Sequence, residues 1–251
     1  MKPFLPALAL LAAYSLTTPA KAADSLGLGY DWAGAYFGIN AGFASNGSTV
    51  DNSVYFDNNN YNDLVNRIEG DQATLMGGVL LGYNLQAGNV VFGAEADVNY
   101  LGFSDASSTA HDYDIYSATK KTSFDASWFG TLRGRLGYTI GGLLVYGTGG
   151  LATGDMEATA SVKATDMING EYAKWNGSAS TMNWGWAAGA GIEYGISNVS
   201  FGLEYLYVDL GSADWNADPT GTLQDLAGNS NANGSVDYQF SVARATAKLK
   251  L

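Results

Sequence analysis

The sequence predicts an all-β chain: an eight-stranded antiparallel up-and-down transmembrane β-barrel with four long extracellular loops. Eight segments of β character run 10–15 residues each. A tilted membrane strand needs about 9–11 residues, whereas ordinary globular strands average about 5–6. The connectors alternate between short and long. Within the segments, apolar side chains gather on one face and charges on the other, as they can where facing changes at every residue.

The first strand is predicted at 35–44 (AYFGINAGFA), followed by the long polar connector 45–71. The second, 72–84 (QATLMGGVLLGYN), ends beside Tyr83, and the tight turn 85–89 leads into the third, 90–101 (VVFGAEADVNYL). On the third, Phe92, Ala94, Ala96, Val98 and Tyr100 share one face, opposite Val91, Gly93, Glu95, Asp97 and Asn99. After the long connector 102–123 comes 124–138 (FDASWFGTLRGRLGY), in which Trp128, Leu132, Leu136 and Tyr138 oppose Thr131, Arg133 and Arg135. The turn 139–142 leads to 143–153 (LLVYGTGGLAT), and the long connector 154–182 to 183–194 (NWGWAAGAGIEY). There Trp184, Trp186, Ala188, Ala190, Ile192 and Tyr194 oppose glycines and Glu193. The turn 195–198 gives way to 199–209 (VSFGLEYLYVD), where Val199, Phe201, Leu203, Tyr205 and Tyr207 oppose Ser200, Gly202 and Glu204. After the connector 210–239, the last strand, 240–251 (FSVARATAKLKL), sets Leu249 and Leu251 against Arg244, Lys248 and Lys250.

A soluble barrel would be polar outside and apolar within; these strands read the other way round. Short turns at one end and long loops at the other are the pattern of an outer-membrane barrel whose long loops lie outside the cell. An even strand count leaves both termini on the periplasmic side. Tyr83, Tyr138 and Tyr194, each just before a short turn, are predicted to form an inner aromatic girdle. Trp128, Trp184 and Trp186 at the opposite strand ends form the outer one.

Composition agrees. Only 14% of residues are charged, and glycine (33) far exceeds proline (4); soluble domains carry about 25% charged residues. There is no cysteine, which excludes a small disulfide scaffold. Residues 1–22 (MKPFLPALALLAAYSLTTPAKA) have a basic start, a short apolar stretch and an A-x-A end. They read as a signal peptide cleaved after Ala22, leaving 23–251 as the barrel domain. Without Lys2 and Lys21 the chain holds 10 Lys and Arg against 24 Asp and Glu, a charge of −14. Nucleic acid is therefore excluded as a partner, since binding it depends on cations neutralising phosphates.

The inward face is predicted to hold Glu95, Asp97, Glu193 and Glu204 with Arg133, Arg135, Arg244, Lys248 and Lys250. Charges withdrawn from water must pair, and eight strands enclose only enough space for side chains. A closed ionic plug of structural purpose follows. Arg133→Glu is then expected to weaken the barrel more than a charge reversal at Lys163 in the third loop.

The stretches DWAGAYFGINAGF (31–43), GGVLLGYNLQAGNVVFGAEADV (77–98), WFGTLRGRLGY (128–138), LVYGTGGLA (144–152), WGWAAGAGIEYGI (184–196) and FGLEYLYVDLG (201–211) together resemble the alphaproteobacterial family of small outer-membrane β-barrel surface antigens, termed porin-like or opacity-protein-like. The resemblance covers nearly every strand and stops in the long loops. It implies a Gram-negative cell-envelope protein with antigenic loops, supporting envelope integrity and meeting host or surface ligands. It also implies partners in outer-membrane lipid, lipopolysaccharide and the barrel-assembly machinery. Some relatives bind haem or form pores. The family pattern ends on an aromatic residue, commonly Phe; this chain has Leu251 there.

Catalytic chemistry finds little footing. His111, in SSTAHDYD (107–114), is the single histidine, so zinc ligation and a histidine-based triad lack their usual parts. DNNNYND (57–63) lacks the Gly and terminal Glu of a calcium loop. Asp209, Asp214, Asp218 and Asp225 read as a solvated acidic loop. No catalytic, cofactor-binding or metal site is assigned, and no cofactor. The expected function is that of a structural outer-membrane barrel and surface antigen. The alternatives are a narrow pore or haem-binding surface protein, and, second, a lipid-modifying barrel enzyme using His111.

Overall fold

A computed structural model describes residues 29–46, 49–56, 59–60, 68–69, 73–112, 116–168, 170–217, 219–222 and 231–251. The expected signal peptide, Asp218, Asp225 and most of the 57–63 stretch lie outside these residues. Eight long strands build the wall: β1 (Gly34–Asn46), β2 (Ala73–Ala87), β3 (Val90–Asp112), β4 (Tyr116–Ile140), β5 (Leu143–Asp166), β6 (Tyr172–Ile196), β7 (Val199–Ala217) and β8 (Asn231–Lys250). Sequential neighbours pair antiparallel, and β1 also pairs β8, from Tyr36 opposite Lys250 to Asn46 opposite Phe240. The barrel is closed and has no free edge at this level.

All eight expected strands are present, but several are far longer than their apolar cores. Much of 102–123 and 154–182, expected as loop, continues the ladder. β3 and β4 stay paired to Asp112 opposite Ser117, and β5 and β6 to Thr165 opposite Tyr172. Beyond the membrane the outward face meets water instead of lipid, so apolar alternation no longer distinguishes strand from loop. Hairpin partners go on satisfying each other's backbone groups, and the many threonines favour the extended form. In the first connector, Thr49–Phe56 adds to the outer half of β8.

The short turns tighten to two residues each: Gly88–Asn89, Gly141–Gly142 and Ser197–Asn198. The first residue of each has positive φ, 60° at Gly88, 61° at Gly141 and 59° at Ser197. That is the type II′ pattern whose twist matches flanking strands, and it favours glycine at the first position. Ser197 adopts it with a Cβ. Ser197→Gly is expected to stabilise the barrel by about 0.5–1 kcal/mol, the relief of the left-handed conformation less glycine's extra chain entropy. It should read as a higher urea midpoint in lipid vesicles; an unchanged or lower midpoint would contradict it.

Three irregularities lie toward the outer rim. Ser127 of β4 is an extra residue against β5, Leu101–Gly102 of β3 stand against Ser127 alone, and Leu210–Gly211 of β7 stand against Tyr238 alone in β8. A bulge shifts the alternation by one. Phe129 faces the lumen with Thr131 and Arg133, yet beyond Ser127 it is Ala126 that is buried.

The outer wall is apolar. Phe37, Ile39, Val79, Leu81, Phe92, Val98, Leu132, Leu136, Ile192, Phe201 and Leu203 all stand exposed on it. The lumen holds three storeys. Nearest the outer rim is an apolar cap including Met76, Leu101, Phe129, Leu206, Val208, Tyr238, Phe240 and Val242. At the periplasmic end lies a floor of Trp32, Val91, Leu144 and Tyr146, with Tyr30 packed against it. The charges sit between.

Candidate functional site

Strand register sets two of the middle storey's four acids directly opposite a base on the neighbouring strand. Glu95 of β3 lies opposite Arg133 of β4, and Glu204 of β7 opposite Arg244 of β8. Period-two facing then turns Asp97, Arg135, Glu193 and Lys248 into the same layer. All eight side chains are buried.

Arg133 is the hub. Its Nη2 donates to Glu95 Oε1 at 2.9 Å and Asp97 Oδ2 at 2.8 Å. Its Nη1 donates to Glu204 Oε1 at 3.1 Å and Thr148 Oγ1 at 3.3 Å, and its Nε to Thr131 Oγ1 at 2.8 Å. All five guanidinium donors are thereby used. Arg244 reaches Glu204 Oε1 at 2.7 Å and Asp97 Oδ2 at 3.0 Å through Nη2. Arg135 donates to Glu193 Oε1 at 2.8 Å and to the Tyr36 hydroxyl at 3.0 Å, and its guanidinium carbon lies 4.1 Å from the Tyr146 ring centroid. Lys248 bridges Glu95 Oε2, at 2.7 Å, and Glu193.

Two tyrosines complete the carboxylates' hydrogen bonding. Tyr36 donates to Glu95 Oε2 at 2.9 Å, and Tyr146 to Glu204 Oε2 at 2.7 Å. Their rings need space at the opposing backbone. A Cβ built on Gly191 would come within 2.6 Å of the Tyr146 ring, and one on Gly82 would collide with Tyr36. Here the lumen glycines make room for side chains that cap charges.

The layer holds four acids and four bases, so it is neutral. Lys250, expected among the lumen charges, does not enter it. Lys250 stands at the periplasmic mouth, where Nζ pairs Asp31 Oδ2 at 2.9 Å and remains partly exposed. As the last strand residue, it sits where the wall ends, and a flexible stem carries its ammonium to the nearest carboxylate with access to water. The sequence reading also missed Tyr36, Tyr146 and Thr148 as members. Their signal was a lumen-facing parity on the first and fifth strands.

The girdle residues lie outside. Tyr83, Tyr138 and Tyr194 are exposed on the wall near the short turns, and Trp184 and Trp186 toward the outer rim; Trp128 is half-buried. His111 belongs to β3, opposite Ala118, rather than to a loop, and its side chain is outside the described residues. Asp209 accepts from the Gly211 amide at 2.8 Å at the β7 irregularity, and Asp214 lies farther along β7, opposite Ser235.

What this storey can do is close the lumen. Carboxylates and bases bond one another, Arg135 Nε excepted, and apolar storeys lie on both sides. Charges so enclosed are costly unless paired, and these are paired several times over.

A family profile described as "Outer membrane protein beta-barrel domain" matches residues 7–240. The chain is 37% identical over 185 residues to the "31 kDa outer-membrane immunogenic protein" of Brucella melitensis, covering 72% of each. It is 36% identical over 143 residues to the "22 kDa outer membrane protein" of Rhizobium leguminosarum bv. viciae, covering 57% of this chain and 56% of that one. Among solved structures it is similar to the outer membrane protein OprG of Pseudomonas aeruginosa, with TM-score 0.42 and 14% identity over 87% of this chain and 98% of that one.

Proposed function

The chain belongs to the outer-membrane β-barrel domain family and resides in the outer membrane, and from that premise we propose that it is a structural surface protein with a closed lumen. It strengthens the envelope by inserting a rigid, lipid-facing cylinder, and it presents its outer strands and loops as antigen. The relatives named immunogenic support the second role. The lumen's layering supports the first: a neutral, multiply bonded ionic storey lies between two apolar ones. Eight strands enclose little more than these side chains. Its partners on this reading are the surrounding lipid and lipopolysaccharide, and the assembly machinery during insertion.

Planar-bilayer recording tests the closed lumen. Purified protein, shown to be folded by heat-modifiable gel mobility, is expected to give no stable conductance steps above the bare bilayer. Large stable steps would favour the narrow-pore reading instead.

A further inference from the structure

Above the outer girdle, β4, β5 and β6 carry three lysines on the outward face. Lys163 of β5 lies directly opposite Lys174 of β6. Lys121 of β4 lies opposite Ser161, the next same-face residue along β5 from Lys163. The facing is fixed by Ala173 and Trp175, which flank Lys174 and are buried on the other side of the sheet. Like charges directly opposite each other across a strand pair are destabilising. Yet among the described residues none of the three lysines has a carboxylate in ion-pair reach; Lys163 Nζ rests 4.8 Å from the Tyr172 ring centroid. Every described lumen or mouth cation, by contrast, is paired.

The acids placed on or near this face bound the patch rather than enter it. Asp125, Asp155 and the strand position of Glu157 lie toward the membrane, Asp166 and Glu171 at the far hairpin tip. Between them the neighbours of the lysines include the hydroxyl-bearing Thr119 and Ser161 and the amide Asn176. In a chain with twice as many acids as bases, an unpaired cationic face awaits an anion.

We propose that this face binds the phosphorylated saccharide of lipopolysaccharide in the surrounding leaflet. The inference rests on the outer-membrane placement and adds a site to it. Two features select this partner. The face points sideways from the barrel axis, toward neighbouring lipids and not toward the medium above. Lys174 lies ten residues beyond Trp184, about 33 Å along the strand and about 25 Å above the girdle at a tilt of about 40°. That height belongs to the sugar layer, well clear of the acyl chains. Ammonium groups meet phosphate as point charges, and the threonine and serine hydroxyls match saccharide hydroxyls.

The test uses full-length protein in lipid nanodiscs. The probe is water-soluble core oligosaccharide bearing its phosphates, released from lipopolysaccharide without the lipid; the same oligosaccharide dephosphorylated and heparin serve as comparison probes. Removing the lipid keeps acyl binding to the barrel wall out of the measurement. Lys121→Gln/Lys163→Gln/Lys174→Gln is expected to weaken binding of the phosphorylated probe about tenfold or more, and Lys174→Gln alone less. Both variants should retain heat-modifiable mobility. Affinity should fall with rising salt, as for exposed charges, and dephosphorylation should mimic the triple variant. Unchanged binding by folded variants would overturn the site while leaving the barrel's membrane placement intact. Lysine-dependent binding of heparin without binding of the core oligosaccharide would overturn the choice of partner.

Discussion

Replacing Arg133 by glutamate should cost the barrel about 5 kcal/mol or more. Removing one partner of a buried charge pair typically costs about 3–5 kcal/mol, and the reversal adds a fifth carboxylate to a layer holding four. Glu95, Asp97 and Glu204 all lose their shared donor at once. Water has little access to them, since Arg133 is 1% exposed and the three carboxylate side chains 2% or less. The control is Lys163→Glu, on an exposed side chain without a carboxylate partner. That change is expected to stay within about 0.5 kcal/mol of the native protein, or to gain slightly by giving Lys174 an opposite charge. Urea unfolding in lipid vesicles, followed by loss of the compact heat-modifiable form, measures both. Equal losses for the two variants would remove the ionic layer's claim to hold the barrel.

Much of this layer was legible because a strand has only two faces. Glu95, Asp97 and Asn99 could be placed together from their spacing, as could Thr131, Arg133 and Arg135, with no knowledge of the loops. Glu193, Glu204, Arg244 and Lys248 followed in the same way, and all are buried in the lumen. Lys250 shares their parity but not their depth: alternation gives the side of the wall and says nothing of height along it. Height is also why the apolar cap went unread. Phe129, Leu206, Val208, Phe240 and Val242 continue the lumen face of the charged strands, but apolar residues on that face carry no period-two contrast with the lipid side.

The outer halves of the strands were hidden for a different reason. Ser127 shifts the parity of β4, and no residue type announces an inserted position. Past the membrane the apolar outward face disappears as well, so SATKKTS on β4 and TASVKAT on β5 read as loop while pairing as strand. Register between them comes from the hairpin below, a long-range constraint that composition does not record.

The second large effect comes from the residue beside Arg133. Leu132 stands on the lipid face, between Ala96 of β3 and Leu151 of β5 and near the middle of the membrane stretch of β4. Leu132→Arg should therefore cost about 2–4 kcal/mol, the penalty of a cation at the bilayer midplane. Arg133→Leu should cost about 3–5 kcal/mol by leaving its carboxylates short of a donor. The exchange Leu132→Arg/Arg133→Leu preserves composition, volume and net charge, and changes only which face each residue occupies. The two side chains point to opposite sides of the wall and share no partner, so their effects should add to about 5–9 kcal/mol. That is comparable to the whole stability of many domains. The expected result is a chain that fails to acquire the compact, heat-modifiable form in vesicles, while each single variant still does so at lower midpoints. If the exchange folded as well as either single variant, the relocated guanidinium would have to reach the lumen carboxylates from the lipid side. A wall one strand thick, with side chains alternating in strict succession, gives it no route.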